Sequence, residues 1–142
     1  MSFDEAYALA LKKLKSCDRF ERELRPFLGD ADPEIIDQVM ARLRSQGILN
    51  ERSMVDSVIG ASYGRSSVGR EKMSSWLLER GAPPEAVQAA LAELPEEVSR
   101  AIDLLQTRPA GPRGKLGRFL MSRGFDEETV ESALNQFLEA SE

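Results

Sequence analysis

The side chains able to do chemistry in this chain are few, and their types narrow the choice. The 142 residues include no histidine and one cysteine, Cys17. Without imidazole there is no Ser-His or Cys-His pair to activate a nucleophile, and no structural zinc site of the usual kind. Cys17 has no base to ionise it and no second thiol to bridge to. It reads as a small packing residue, and its solitude fits a reducing compartment. Every Asp and Glu has a helix-surface or capping explanation, so no enzyme, no cofactor and no metal centre is expected. What remains is the chemistry of cations and aromatic rings.

The cations are segregated despite a net charge of −5. Arg108, Arg113, Lys115, Arg118 and Arg123 form a stretch without an acid, while Asp126, Glu127, Glu128, Glu131, Glu139 and Glu142 follow without a base. Arg65, Arg70, Lys72 and Arg80 repeat the basic tendency earlier in the chain. Arg80 and Arg123 are explained by a place beside a helix C-terminus, but Arg113, Lys115 and Arg118 fall early in a helix, where the dipole disfavours them. Those three point to a partner. Segregated charge of this kind steers association and suits a polar contact surface. The partner-binding surface is therefore placed on Tyr63, Arg65, Arg70, Lys72, Arg113, Lys115 and Arg118. Tyr63 and Trp76 could stack on bases, but Trp76 shares its repeat position with Phe27 and Phe119, which assigns it to the core. Gly64-Arg-Ser-Ser-Val-Gly69-Arg70-Glu71 has the glycine spacing of a phosphate-binding loop. It lacks the Lys-Ser/Thr pair and a preceding strand, so it is a helix–helix loop.

The elements that must carry these residues announce themselves by repetition. Lys72 to Leu91 recurs as Lys115 to Leu134, a period of about 43 residues, within the range of helical-repeat arrays. Lys72/Lys115, Leu77/Leu120, Arg80/Arg123, Gly81/Gly124, Glu85/Glu128, Val87/Val130, Ala90/Ala133 and Leu91/Leu134 are identical. A more worn copy lies upstream, with Leu24, Phe27 and Leu28 at the positions of Met73, Trp76 and Leu77. The expected fold is all-α: three tandem three-helix repeats, 1–47, 48–93 and 94–142, stacked into an elongated, curved array. Units of about 45 residues sit near the size at which isolated domains become marginal, so stacking supplies burial that each lacks alone.

Local signals set the helix limits. Tyr7, Ala8, Leu11 and Leu14 give the first helix an apolar line. Pro26 should kink or shorten the second helix, Asp18 to Leu28. Asp32-Pro33 opens the third, and Ile35, Ile36, Val39, Met40 and Leu43 form its inner face. Asn50 and Asp126 are N-cap candidates, Gly47 and Gly81 end helices, and Thr107 to Pro112 is a loop. No stretch alternates as a strand does. The acidic opening Met1-Ser-Phe-Asp-Glu-Ala is not a secretory leader and no run is long and apolar enough to span a membrane, so a cytoplasmic, monomeric protein is expected.

The order of Arg42-Leu-Arg-Ser-Gln-Gly-Ile-Leu-Asn50, Tyr63-Gly64, Val68-Gly69, Leu77-Leu-Glu-Arg-Gly81 and Lys115-Leu-Gly-Arg-Phe-Leu-Met-Ser-Arg-Gly-Phe125 resembles the RecX family of bacterial RecA regulators over nearly the whole chain. The resemblance implies a non-catalytic modulator that lies along the groove of the RecA–single-stranded DNA filament. It would block filament growth or promote disassembly, with DNA within the filament as a further contact. Direct DNA binding by helix-turn-helix-like units, and a general helical adaptor, stay open as alternatives.

Overall fold

A computed structural model describes residues 1–62 and 66–140. Among the described residues all regular structure is helical. The order is α1 (Phe3–Ser16), α2 (Glu21–Leu24), a 3-10 turn (Arg25–Leu28), α3 (Pro33–Ser45), α4 (Glu51–Gly60), α5 (Arg70–Arg80), α6 (Pro84–Ala92), α7 (Glu97–Gln106), α8 (Arg113–Ser122) and α9 (Glu127–Ala140). No helix among these residues is long and apolar enough to cross a membrane.

The helix limits follow from side chains that satisfy the first amides. Ser2 and Glu5 form a reciprocal capping box on α1, with Glu5 N–H donating to Ser2 Oγ at 3.2 Å. Asn50 Oδ1 accepts from Ser53 N–H at 3.0 Å. Asp126 Oδ1 accepts from Thr129 N–H at 2.7 Å, and the hydrogen bonds from Thr129 hold the Asp126 carboxyl below its usual range. Asp32 occupies the N-cap of α3 but makes no side-chain capping bond, so proline at the first helical position carries that start. Pro26 acts as expected. The α-helical turn ends at Leu24 and the chain tightens into a 3-10 turn through Arg25–Leu28. Cys17 corrects the sequence reading: it is exposed in an extended C-cap, where α1 ends, and packs in no core.

The chain divides into two compact units, Met1–Val55 with Leu77–Val87, and Asp56–Trp76 with Gln88–Glu142. In the first, Ala6 and Ala10 of α1, Leu24, Leu28, and Val39, Met40 and Leu43 of α3 form the core. The inner line of α1 is thus two alanines, whose small side chains bring α1 close to α3, while Tyr7, Leu11 and Leu14 are half-buried and Ala8 is exposed. The second unit buries Ala101, Leu104 and Leu105 of α7, Leu116 and Leu120 of α8, and Phe125, Val130, Ala133 and Leu134 around α9.

The first unit also carries a two-pronged ion pair. Arg80 Nε and Nη2 donate to Glu23 Oε2 and Oε1, each at 3.1 Å, and the guanidinium lies 5.0 Å from the centroid of the buried Phe20 ring. Burial raises the Glu23 carboxyl, but the bonds from Arg80 and from Phe20 N–H outweigh it and hold the group below its usual range. A lowered folded-state pKa adds stability above the unfolded pKa and loses it as pH falls through the folded one. Glu23→Gln should therefore cost about 1 kcal/mol at neutral pH, and its difference from wild type should close as urea unfolding is repeated down through the carboxylate range.

Candidate functional site

The middle helices of the second and third sequence repeats, α5 and α8, both end on Arg-Gly, and the two glycines organise the basic residues around them. Gly81 and Gly124 have left-handed φ values of 99° and 87°. Each closes its helix by returning the next amide to the last turn, Ala82 N–H to Leu77 O at 2.9 Å and Phe125 N–H to Leu120 O at 3.3 Å. Only glycine holds that conformation without steric cost, and the bare Cα leaves a seat for a neighbour.

In the first unit the seat is taken by Arg22 of α2. A Cβ at Gly81 would fall 2.5 Å from the Arg22 Cβ, and Arg22 Nη1 donates to Leu78 O at 3.4 Å. In the second unit it is taken by Lys72 of α5. A Cβ at Gly124 would fall 2.8 Å from the Lys72 Cβ, and Lys72 Nζ donates to Ser122 O at 3.1 Å. In both, a cation from one helix rests on the carbonyl end of another, where the helix dipole places partial negative charge. The arginine before each glycine reaches elsewhere in its unit: Arg80 to Glu23, and Arg123 Nη1 to Ser67 O at 3.1 Å.

Gly69 belongs to the same arrangement. Its N–H donates to Arg123 O at 2.8 Å, and a Cβ there would lie 2.0 Å from Gly124 O. The second glycine of the phosphate-loop-like spacing is thus demanded by a backbone contact with the end of α8.

The sequence-predicted surface separates into three groups. Arg70 and Arg113, the first residues of α5 and α8, are engaged within the chain. Arg70 donates to Leu91 O (3.2 Å), Leu94 O (2.9 Å), Pro95 O (3.0 Å) and Glu97 Oε1 (3.2 Å). Arg113 Nη2 donates to Glu131 Oε1 (2.8 Å) and Asn135 Oδ1 (2.9 Å) of α9. Arg70 thus ties the end of α6 to the start of α7, and Arg113 holds α9. Lys72 sits on the Gly124 turn. Lys115 and Arg118 face solvent from α8 and have no ion-pair or hydrogen-bond partner among the described residues. Tyr63 and Arg65 lie outside the described residues.

Trp76 corrects the sequence reading. It is 46% exposed, with Lys72 Nζ 5.8 Å from its ring centroid. Its repeat equivalents are also half-buried or exposed and also meet cations. Lys13 and Arg19 lie 4.6 Å and 4.7 Å from the Phe27 ring, and Arg108 and Arg123 lie 3.9 Å and 5.1 Å from Phe119. At each of the three positions a cation lies against the ring, although Phe119 also packs on the core of its unit.

Sequence reasoning missed Arg100, which is 3% exposed on the inner face of α7. Its Nη2 donates to Val68 O at 2.7 Å, its Nη1 pairs with Glu97, and its guanidinium lies 5.9 Å from the Phe125 ring. Glu97 thus joins a buried arginine and Arg70, whose backbone amide donates to Glu97 Oε2 at 3.1 Å. The available signal was weak: one arginine among the apolar residues Val98, Ala101, Ile102 and Leu105.

No family model matches the chain. Proteins named Regulatory protein RecX are similar to it. The one from Leptothrix cholodnii is 36% identical over 120 residues, covering 80% of this chain and 74% of the relative. The one from Chlorobaculum tepidum is 30% identical over 138 residues, covering 93% and 86%, and the one from Chlorobium limicola is 26% identical over 141, covering 94% and 89%. The crystal structure of RecX from Lactobacillus salivarius matches with a TM-score of 0.79 at 16% identity, over 95% of this chain and 96% of that one, which shows a common fold.

Two outcomes test the geometry. Gly124→Ala should lower stability by about 2 kcal/mol or more, combining left-handed strain with the collision against Lys72, whereas Gly114→Ala inside α8 should raise it by up to about 1 kcal/mol. Thermal melts of the two variants separate these signs. Glu97→Gln, which strands the charge of Arg100, should cost about 2–4 kcal/mol, against at most about 1 kcal/mol for the exposed pair lost in Arg113→Ala. Equal losses in urea unfolding would contradict the assignment.

Proposed function

The chain belongs to the RecX family of regulatory proteins, and from that premise we propose that it is a non-catalytic inhibitor of the RecA recombinase. In this reading it binds the RecA–single-stranded DNA filament in the cytoplasm as a monomer, and it limits filament growth or promotes disassembly. Recombination, DNA repair and the SOS response are lowered as a result. The observation in this chain that carries the reading is the solvent face of α8, where Lys115 and Arg118 are exposed and have no partner among the described residues, beside Arg113, which is paired with Glu131.

The physical logic is one of position. A bound molecule that bridges or caps protomers need not perform any reaction, because blocking the next addition silences every protomer beyond it. Cations on an otherwise acidic protein steer it to a negatively charged filament at a rate that falls with salt. Tyr63 and Arg65 are kept in the proposed contact surface together with Lys72, Lys115 and Arg118. Arg70 and Arg113 contribute to it by holding α5 and α8 in place.

A second reading, direct binding to DNA, draws on one observation: Trp76 is exposed beside Lys72, a ring and a cation suited to a stacked base and its phosphate. Its mark would be a steep loss of affinity for free DNA with rising salt.

The test is the single-stranded-DNA-dependent ATPase of the cognate RecA, with this protein added well below stoichiometric amounts. Progressive loss of activity is expected, each molecule silencing many protomers. Full activity in the presence of excess protein would contradict the proposal.

A further inference from the structure

We infer that the basic face of α8 and the acidic start of α9 form one self-complementary surface, through which two copies of this chain pair. The pairing covers Lys115 and Arg118 and so regulates the surface assigned above to RecA. The inference rests on the RecA reading only for that consequence.

The starting point is how charge is divided between two successive helices of the second unit. α8 carries Arg113, Lys115 and Arg118 and no acid, whereas the chain from Asp126 onward carries acids and no base. The two helices are joined by the Gly124 turn and share a core through Leu116, Leu120, Val130 and Leu134. Asp126, Glu127, Glu128 and Glu131 gather near that turn, while the three bases lie in the first two turns of α8, away from it.

Within one chain the attraction between the two sides is realised once, where Arg113 meets Glu131 at 2.8 Å. Lys115 and Arg118 remain exposed and unpaired among the described residues. Glu127 and Glu128 are exposed too, and their side chains make no ion pair or hydrogen bond there. Asp126, Glu127, Glu128, Glu131 and Ser132 line an open groove of about 710 Å³ with no base among them. The surface thus has a basic projection and an acidic recess, and neither is satisfied by its own chain.

Charge selects a second copy as the occupant. A phosphate backbone would suit α8 but would be repelled by the acids beside it. An occupant of the whole surface must carry both signs in the inverse order. A second copy related by a two-fold axis does so, because the bases of each copy then face the acids of the other and the contact is made twice. Lys115 and Arg118 stand in the first half of α8, where the helix dipole disfavours them, and the carboxylates of the second copy offset that cost. Met121, three residues on from Arg118 and so on the same side of α8, is 52% exposed and adds apolar area to the contact. The net charge of −5 opposes the approach of two copies, so the pairing depends on this local arrangement and not on overall charge.

The experiment is sedimentation equilibrium of the full chain up to millimolar concentration, with three variants whose helix content is checked by circular dichroism. Lys115→Glu with Arg118→Glu makes both sides acidic, and Glu127→Lys with Glu128→Lys makes both sides basic. All four changes on one chain exchange the two sides and keep the net charge of −5. The expected result is a reversible wild-type dimer, weakened about tenfold or more in each double variant. Mixing the two double variants should give a mixed dimer, and the fourfold variant should dimerise again. Three results overturn the inference: a wild type that stays monomeric, a dimer that the double variants leave unchanged, or a mixture and a fourfold variant that both stay monomeric. The RecA ATPase separates the two levels. Glu127→Lys with Glu128→Lys keeps the face of α8, so it should inhibit at lower total concentration than wild type where wild type is dimeric. Inhibition by a wild type that never dimerises retires the pairing alone, and a wild-type dimer without RecA inhibition by either form retires the RecA reading alone.

Discussion

A helix that ends on glycine in the left-handed conformation exposes three things at once: a reversed backbone, the negative end of its dipole and a Cα with no side chain. In this protein a neighbouring cation lies in that gap twice, Arg22 on Gly81 and Lys72 on Gly124. The contact is short because Cβ is absent, and favourable because the charge meets the negative end of the helix dipole. The other shared features follow from it. The arginine before each glycine bonds Glu23 in one unit and the Ser67 carbonyl in the other. Gly69 must also be glycine, because the end of α8 comes within hydrogen-bonding distance of its backbone.

The same accounting separates structural cations from those open to a partner. Arg70 and Arg113 look available from sequence charge alone, but they and the buried Arg100 are all engaged. Arg70 and Arg100 share Glu97, and Arg113 bonds to α9. An arginine whose fork is already filled has little left to offer another molecule. Lys115 and Arg118 are different, since neither is paired among the described residues and both lie on the outward side of α8. A regulator that works by occupying a site needs such a surface more than it needs a pocket.

Much of this was legible in the sequence because it depends on local rules. The Lys72/Lys115 to Leu91/Leu134 repeat, the proline break at Pro26, the caps at Asn50 and Asp126 and the loop from Thr107 to Pro112 each need only neighbouring residues to interpret. The order of short motifs, from Arg42 to Phe125, was enough to point to the family. What failed depends on distant contacts. The repeat position of Trp76 points to the core, but the residue is half exposed with Lys72 over its ring. Arg113 reads from the sequence as a contact for another molecule, whereas its side chain bonds Glu131 and Asn135 of α9. Arg100 went unnoticed because a buried arginine has no local signature; only the meeting of Glu97, Val68 and Phe125 makes its burial tolerable.

The central proposal is that Lys115 and Arg118, exposed on α8 and unpaired among the described residues, lie where the chain meets the RecA filament. Hydrogen–deuterium exchange of the chain, alone and on RecA assembled with single-stranded DNA, tests this most directly. The account predicts that protection on binding is concentrated in the α8 peptides around Lys115 and Arg118, with α1 unchanged. Clear binding with α8 exchanging as freely as before, and protection confined to another surface, would contradict it.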